Sequence, residues 1–260
     1  MEDLMKLKGK NIVVMGVANE RSLAWGVAKS LYKVGANPIF TYRLDRSFAK
    51  LNKLLKEEQT ASSPLIVQCD VNDDESIKNA FHEIHEKVGT IHGVVHSVAF
   101  ANSEDLKGDF INTSRSGYAF AQDTSAYSLI AVAREAKPFM TEGGSIVTMS
   151  YLGAERAVPG YNVMGVAKAA LESSVKYLAM DLGEANIRIN AISAGAIRTL
   201  AAKGVGSFNE ILHKIEETSP LKRNVTQEEV GDMTVAFLSH LSRGVTGEVV
   251  YVDSGYNIIG

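Results

Sequence analysis

The 260-residue chain carries a single cysteine, Cys69, so it can form neither an internal disulfide nor a cysteine-based zinc site. Cys69 lies in the apolar run PLIVQC, where a thiol serves as core filler. The six histidines show no ligand clustering: His82 and His85 share one helical stretch and read as a solvated face, and no metal is implied. An excess of positive charge is missing too. The 27 lysines and arginines against 30 acidic residues leave a net charge of −3, which argues against nucleic acid as the main partner. No apolar run approaches the length of a membrane span. The first residues, MEDLMKLKGK, are charged and lead into a strand-like run without a signal-peptide pattern, so a reducing, cytoplasmic location is expected. Linker-like composition shifts and solenoid-length repeats are absent, and residues 1–260 are expected to form one domain.

What is present is a globule's composition, 45% hydrophobic and 22% charged, arranged in a regular alternation. Short apolar runs at 11–16, 37–42, 64–69, 91–100, 145–149, 187–192 and 248–252 read as strands. Helical stretches fall between them, including 22–35, closed by Gly35, the polar 45–59, and 73–88, which starts in an acidic turn. This alternation predicts an α/β fold: a Rossmann-type, doubly wound, mostly parallel seven-stranded sheet with helices on both faces. Two segments interrupt the rhythm, 101–122 and 195–224. Both follow the carboxyl ends of strands, where open α/β sheets place ligands. The second, small-residue-rich at first and then apolar on one face through Phe208, Ile211, Leu212 and Ile215, is expected to be a substrate-pocket lid or a surface excursion packed on the core.

The first strand, a glycine loop and a helix form a mononucleotide-binding half without the usual G-x-G-x-x-G. Gly16 is followed by Ser22 and then by Gly26 inside the helix; a lone glycine here also suits an ordinary βα turn. Ser22 either caps the helix, reaches a phosphate oxygen, or does both. The second strand ends in Tyr42-Arg43-Leu44, and an arginine there suits the 2′-phosphate of NADPH, unless it is a plain surface residue. Asp45 and Arg46 keep NADH open. Asp70-Val71 ends the third strand, where the carboxylate either hydrogen-bonds an adenine or caps the next helix.

The residues 159–182, PGYNVMGVAKAALESSVKYLAMDL, read as one long helix. Seven residues separate Tyr161 from Lys168, a turn of about 700°, so a phenol and an ammonium share a face about 20° apart. A nearby cation helps a phenol to ionise.

Taken together, these residues resemble a short-chain dehydrogenase/reductase, but the Tyr–Lys spacing is longer than that superfamily's Y-x-x-x-K because position 165 is glycine. The spacing resembles that of a divergent branch, the bacterial enoyl-acyl-carrier-protein reductases of fatty-acid synthesis. The likeness extends through GVANERSLAWGVAKSL, HSVAFAN, SYLGAERAVPGYNVMGVAKAALE, NAISAGAIRTLAAKGV and GEVVYVDSGYN. It implies that Tyr161 is the active-site tyrosine, Tyr151 the second tyrosine and Lys168 the lysine that holds the nicotinamide ribose. It implies cofactor contacts at Gly16, Ser22, Leu23, Arg43, Asp70, Val71 and Val98, and at Ile197, Arg198, Thr199, Leu200 and Ala201. It places Ala101, Met164 and Phe208 on the acyl pocket, and it implies a homotetramer. Ala196 stands where relatives often carry proline, and Leu44 where some NADPH-preferring members carry lysine.

The spacing suits the chemistry of such a branch. Hydride enters an enoyl thioester at the β-carbon, while charge develops on the more distant carbonyl oxygen, so the stabilising hydroxyl sits further from the nicotinamide. Three extra helical residues amount to about 4.5 Å of rise. The rival readings are a ketone reductase such as a 3-ketoacyl-carrier-protein reductase, and a nucleotide-sensing regulator without turnover.

Overall fold

The computed structural model describes residues 2–58, 64–199 and 208–259. Its strands are β1 (Asn11–Met15), β2 (Asn37–Tyr42), β3 (Ile66–Gln68), β4 (Gly93–His96), β5 (Gly144–Ser150), β6 (Ile187–Ala194) and β7 (Val249–Val252). The helices are α1 (Glu2–Met5), α2 (Leu23–Lys33), α3 (Asp45–Glu57), α4 (Asp74–Val88), α5 (Arg115–Gln122), α6 (Ser128–Ala136), α7 (Asn162–Gly183), α8 (Phe208–Thr218) and α9 (Gln227–Leu238). All seven strands form one parallel sheet in the order β3-β2-β1-β4-β5-β6-β7, the doubly wound arrangement expected from the alternation. The winding reverses between β1 and β4, and ligands of open α/β sheets bind outside the carboxyl ends at such a point.

Strand alternation divides the core. Ile12, Val14 and Phe40 face α2, α3 and α9, where they meet Trp25, Leu31, Leu51, Leu55, Val230 and Val235. Val13, Ile39 and Ile146 face α4, α6 and α7, where they meet Phe81, Leu129 and Leu171. Cys69 belongs to this second layer, and burial together with Asp70 pushes its thiol up to about 12, which leaves it an inert packing group.

Several boundaries differ from the sequence expectation. The fourth strand is shorter than 91–100: its ladder with β1 ends at Met15 and His96, after which no further ladder pairs form. Gly16 lets the two backbones stay in close contact one residue beyond the ladder. It has φ +96, and a Cβ there would lie 2.0 Å from the carbonyl oxygen of Ser97. The interrupting segment 101–122 is not irregular throughout, since α5 occupies its end, capped by Ser114 Oγ accepting from the Gly117 amide at 2.9 Å. A π-helical turn, Asp123–Tyr127, joins α5 to α6. Asp73 is the cap of α4, accepting from the amides of Glu75 and Ser76. The helix end expected at Gln59 lies outside the described residues. Among the described residues no helix is long and apolar enough to cross a membrane.

Candidate active site

The helix expected from residue 159 begins at Asn162. Gly160 has φ +75 and Asn162 φ +37, so the chain enters α7 through two left-handed residues with Tyr161 between them. Tyr161 occupies the cap position at φ −99, ψ −28. The helical phase of about 20° and the rise of about 4.5 Å therefore do not describe its relation to Lys168. A turn places the tyrosine, and the helix places only the lysine.

That turn packs closely on the segment after β5. A Cβ on Gly165 would lie 2.7 Å from the carbonyl oxygen of Gly153, so a side chain at 165 collides with backbone. The lysine stands at 168, where it is 5% exposed and its Nζ donates to the Met149 carbonyl at 2.7 Å. Burial pulls its ammonium down to about 8, with Glu172 acting in the opposite direction. Tyr151 and Tyr161 are both half-buried, with ring centroids 4.9 Å apart in an edge-to-face contact. Burial, then Tyr151 and Glu172, push the Tyr161 hydroxyl above its ordinary value. Burial and Tyr256 push Tyr151 the same way. The expected help of Lys168 to phenol ionisation does not appear: burial and neighbouring groups raise both hydroxyls, so both tyrosines are protonated hydrogen-bond donors at neutral pH.

On the nucleotide side, the buried Ser22 Oγ accepts from the amides of Ala18 at 3.0 Å and Asn19 at 3.1 Å and makes no side-chain cap bond to α2. It ties the turn after β1 and does not close the helix start. Leu23, half-buried, begins α2. Arg43 is exposed at the end of β2, and its carbonyl accepts from Gln68 Nε2 at 3.2 Å. Asp70 Oδ1 accepts from the Asn72 amide at 3.1 Å, so this carboxylate caps its own loop and leaves α4 to Asp73. Val71 is buried, and Val98 is half-buried against the core. Ile197 packs on the opposite core layer, Arg198 donates to Asn209 Oδ1 at 2.6 Å, and the Thr199 amide donates to the Ile197 carbonyl at 2.7 Å. Leu200 and Ala201 lie outside the described residues.

On the other side, Ala101 is half-buried and follows Phe100, whose amide and carbonyl both bond to Ser125 Oγ, at 3.0 and 3.1 Å. The same hydroxyl lies 3.7 Å from the sulfur of the buried Met164. One serine in the π-helical turn thereby joins the end of the β4 loop to the start of α7. Phe208 lies apart, in a cluster with Ala196, Leu212, Ile215 and Tyr256. Tyr256 connects that cluster to Tyr151 electrostatically.

Three groups escaped the sequence reading. Gln227, at the start of α9, donates to the carbonyls of Glu20 at 3.0 Å and Ser22 at 2.5 Å, tying the nucleotide turn from a distant helix. His96 is 1% exposed, with Nδ1 3.0 Å from Thr148 Oγ1 and Nε2 2.9 Å from Ser128 Oγ. Burial and the neighbouring Lys168 pull it down to about 3, so the ring is neutral. A histidine ending the apolar run VVH was the visible signal. The third is Glu172, one turn beyond Lys168. His82 and His85 remain exposed but rest against Phe139, with centroids 5.0 and 4.6 Å from it. Among the described residues no three His, Cys, Asp or Glu side chains gather as a metal site.

The parallel doubly wound sheet, the glycine turn after β1 and the Tyr161–Lys168 pair beside the end of β5 define a nucleotide-dependent reductase of the short-chain dehydrogenase type. The family model described as enoyl-(acyl carrier protein) reductase matches residues 16–257. The enoyl-[acyl-carrier-protein] reductase [NADH] FabI of Bacillus cereus is 60% identical over 98% of this chain and 99% of its own length. The [NADPH] FabI of Staphylococcus aureus is 58% identical over 98% of this chain and 100% of its own. A crystal structure of the Bacillus cereus reductase with NADP+ and indole naphthyridinone superimposes with a TM-score of 0.95 at 59% identity, covering 98% of both chains. The reductase of Aquifex aeolicus does so with a TM-score of 0.93 at 47% identity, covering 98% of both. The chain belongs to the enoyl-acyl-carrier-protein reductase family.

Proposed function

We propose that the protein reduces the trans-2 double bond of enoyl-acyl-carrier-protein thioesters with hydride from a nicotinamide cofactor, the last reductive step of the fatty-acid elongation cycle. The observation that carries this reading is the closure of position 165 by the Gly153 carbonyl, 2.7 Å from where a Cβ would stand. It removes the lysine position of the ketone reductases and leaves Lys168. Near-full-length identity to reductases of this name supports the same conclusion.

The residues present fit a dinucleotide. Gly16 and the Ser22-tied turn expose backbone at the start of α2, whose N-terminus favours phosphate. Arg43 lies exposed at the end of β2. When bound, the nicotinamide would supply hydride to the β-carbon, and a proton delivered from solvent to the α-carbon completes the reduction. The Tyr161 hydroxyl donates to the carbonyl oxygen on which charge develops, in a desolvated site where a fixed donor acts strongly. Tyr151 orients the thioester and shields that hydrogen bond from water. Lys168 holds the ribose hydroxyls and supplies positive potential. Gly16, Ser22, Leu23, Arg43, Asp70, Val71, Val98 and 197–201 form the cofactor side, and Ala101, Met164 and Phe208 the acyl side.

Arg43 favours NADPH through its charge and planar donors, with NADH as the alternative; relatives named for each cofactor are similar to this chain. Residues 1–260 act as one reductase domain, with a substrate-pocket segment near 195–224. The protein works in the cytoplasm as a homotetramer. Tyr177 and Met180, 72% and 81% exposed on α7, support an apolar subunit contact there.

The test is turnover of crotonyl and acetoacetyl thioesters with NADPH and with NADH. Cofactor oxidation with the crotonyl thioester is expected. Oxidation with the acetoacetyl thioester alone would make the protein a ketone reductase, and none with either would favour a nucleotide sensor.

A further inference from the structure

Two successive residues at the end of β5 hold two charged side chains of α7. The Met149 carbonyl accepts from Lys168 Nζ at 2.7 Å, and Ser150 Oγ donates to Glu172 Oε1 at 2.5 Å. Lys168 and Glu172 stand one helical turn apart, so they lie on the same face of α7. On an open helix such a pair is a weak, solvated contact. Here Lys168 and Ser150 are 5% and 4% exposed, and Glu172 is half-buried. The two side chains form no direct ion pair; the Lys168 ammonium rests on the Met149 carbonyl, and Glu172 acts on it across the helix face. Burial pushes the Glu172 carboxyl up, and the hydrogen bond from Ser150 opposes this by favouring the charged form, in a place where water screens little.

We propose that Glu172, fixed by Ser150 one helical turn from Lys168, is a positioning residue that acts through Lys168: its charge keeps the ammonium protonated where the Met149 carbonyl holds it at the end of β5, on the cofactor side of the site. This rests on the reading of Lys168 as the ribose-holding cation.

The other groups around the pair do not replace Glu172. His96 faces Lys168 from β4 and is neutral, and burial holds Tyr161 and Tyr151 protonated. Glu155, which follows β5, acts on Glu172 and on Tyr251 of β7, and Asp253 also acts on Tyr251. Lys176, a further turn along α7, acts on Glu172 from its solvent end. Glu172 is the acidic group that acts on Lys168, opposing the loss of charge that burial favours.

The experiment compares wild type, Glu172→Gln, Glu172→Asp and Ser150→Ala by two readouts: the pH profile of kcat/KM with a crotonyl thioester, and the pH dependence of NADPH binding followed by nicotinamide fluorescence. Glutamine keeps an acceptor for Ser150 and removes the charge. Its alkaline limb is expected to move to lower pH by about one unit in both readouts, while Glu172→Asp restores the wild-type limb. Ser150→Ala moves it in the same direction by less, and it carries the test should Glu172→Gln fail to fold. An alkaline limb that stays at the wild-type position in the variants, or one that Glu172→Asp shares with Glu172→Gln, overturns the proposal. The binding readout needs no substrate. A wild type that binds NADPH but reduces no enoyl thioester would sink the proposed reaction and leave the role of Glu172 still decided by the binding profile.

Discussion

The rings of Tyr151 and Tyr161 meet edge to face, with centroids 4.9 Å apart and planes at 71°. The contact closes over Gly153, where a Cβ would lie 2.4 Å from Cδ1 of Tyr161. The geometry is the one aromatic quadrupoles favour, and such pairs contribute about 0.5–1.5 kcal/mol beyond burial. It fixes the direction of a hydroxyl that precedes its helix, and it desolvates both phenols, so each acts as a donor and not as an anion.

Tyr161→Phe removes the donor and keeps the ring contact. It is expected to lower kcat about 10²-fold, with NADPH affinity unchanged. Steady-state kinetics and fluorescence titration check both halves; unchanged kcat would remove Tyr161 from the reaction.

Gly165→Ala places a methyl group 2.7 Å from the Gly153 carbonyl oxygen, so α7 or the turn beneath Tyr161 has to move. The expected cost is about 1–3 kcal/mol, with a fall in kcat because Tyr161 rests on the same turn. Gly183, in the same helix, meets nothing within 4 Å. Gly183→Ala is expected to stabilise by roughly 0.5–1 kcal/mol, so thermal melts of the two variants should move in opposite directions.

Arg43→Ala tests the cofactor. Loss of a charged contact to a 2′-phosphate is expected to raise KM for NADPH about tenfold or more and to leave KM for NADH in place. Equal effects on both would assign Arg43 to the surface.

His96 sets an acid limit on stability. Its ring is held down to about 3, below the ordinary 6.5 that it regains in the unfolded chain. Between those values the unfolded state binds a proton that the folded state refuses, so stability falls as pH drops, by roughly 1.4 kcal/mol per unit. Urea denaturation at pH 7 and pH 5 should show a decline for His96→Gln that is shallower than wild type by about 2 kcal/mol.

Alkaline conditions act through Lys168. Its ammonium, held at about 8, is charged well below that value and loses its charge as pH rises through it. Activity that depends on the charge is expected to fall above about pH 8, and a profile flat to pH 10 would separate Lys168's charge from its role.

The sequence by itself determined the sheet and the residues of the reductase pair. A parallel strand buried on both faces is written as a short apolar run, as in NIVVM or SIVTM, and the helices between such runs leave one doubly wound solution. Tyr161, Lys168 and the glycine at 165 were legible as a spacing. Only the tertiary structure decided how that spacing arises. The left-handed φ of Asn162, an asparagine and not a glycine, breaks the helix that the pattern continued through Tyr161. The Gly153 carbonyl closes position 165, Ser150 and Met149 hold Glu172 and Lys168, and Gln227 ties Ser22 from 205 residues away. Periodicity reports which face of an element is apolar, because burial repeats along the chain. Contacts between a strand end, a turn and a distant helix carry no such repeat, and these contacts position the site.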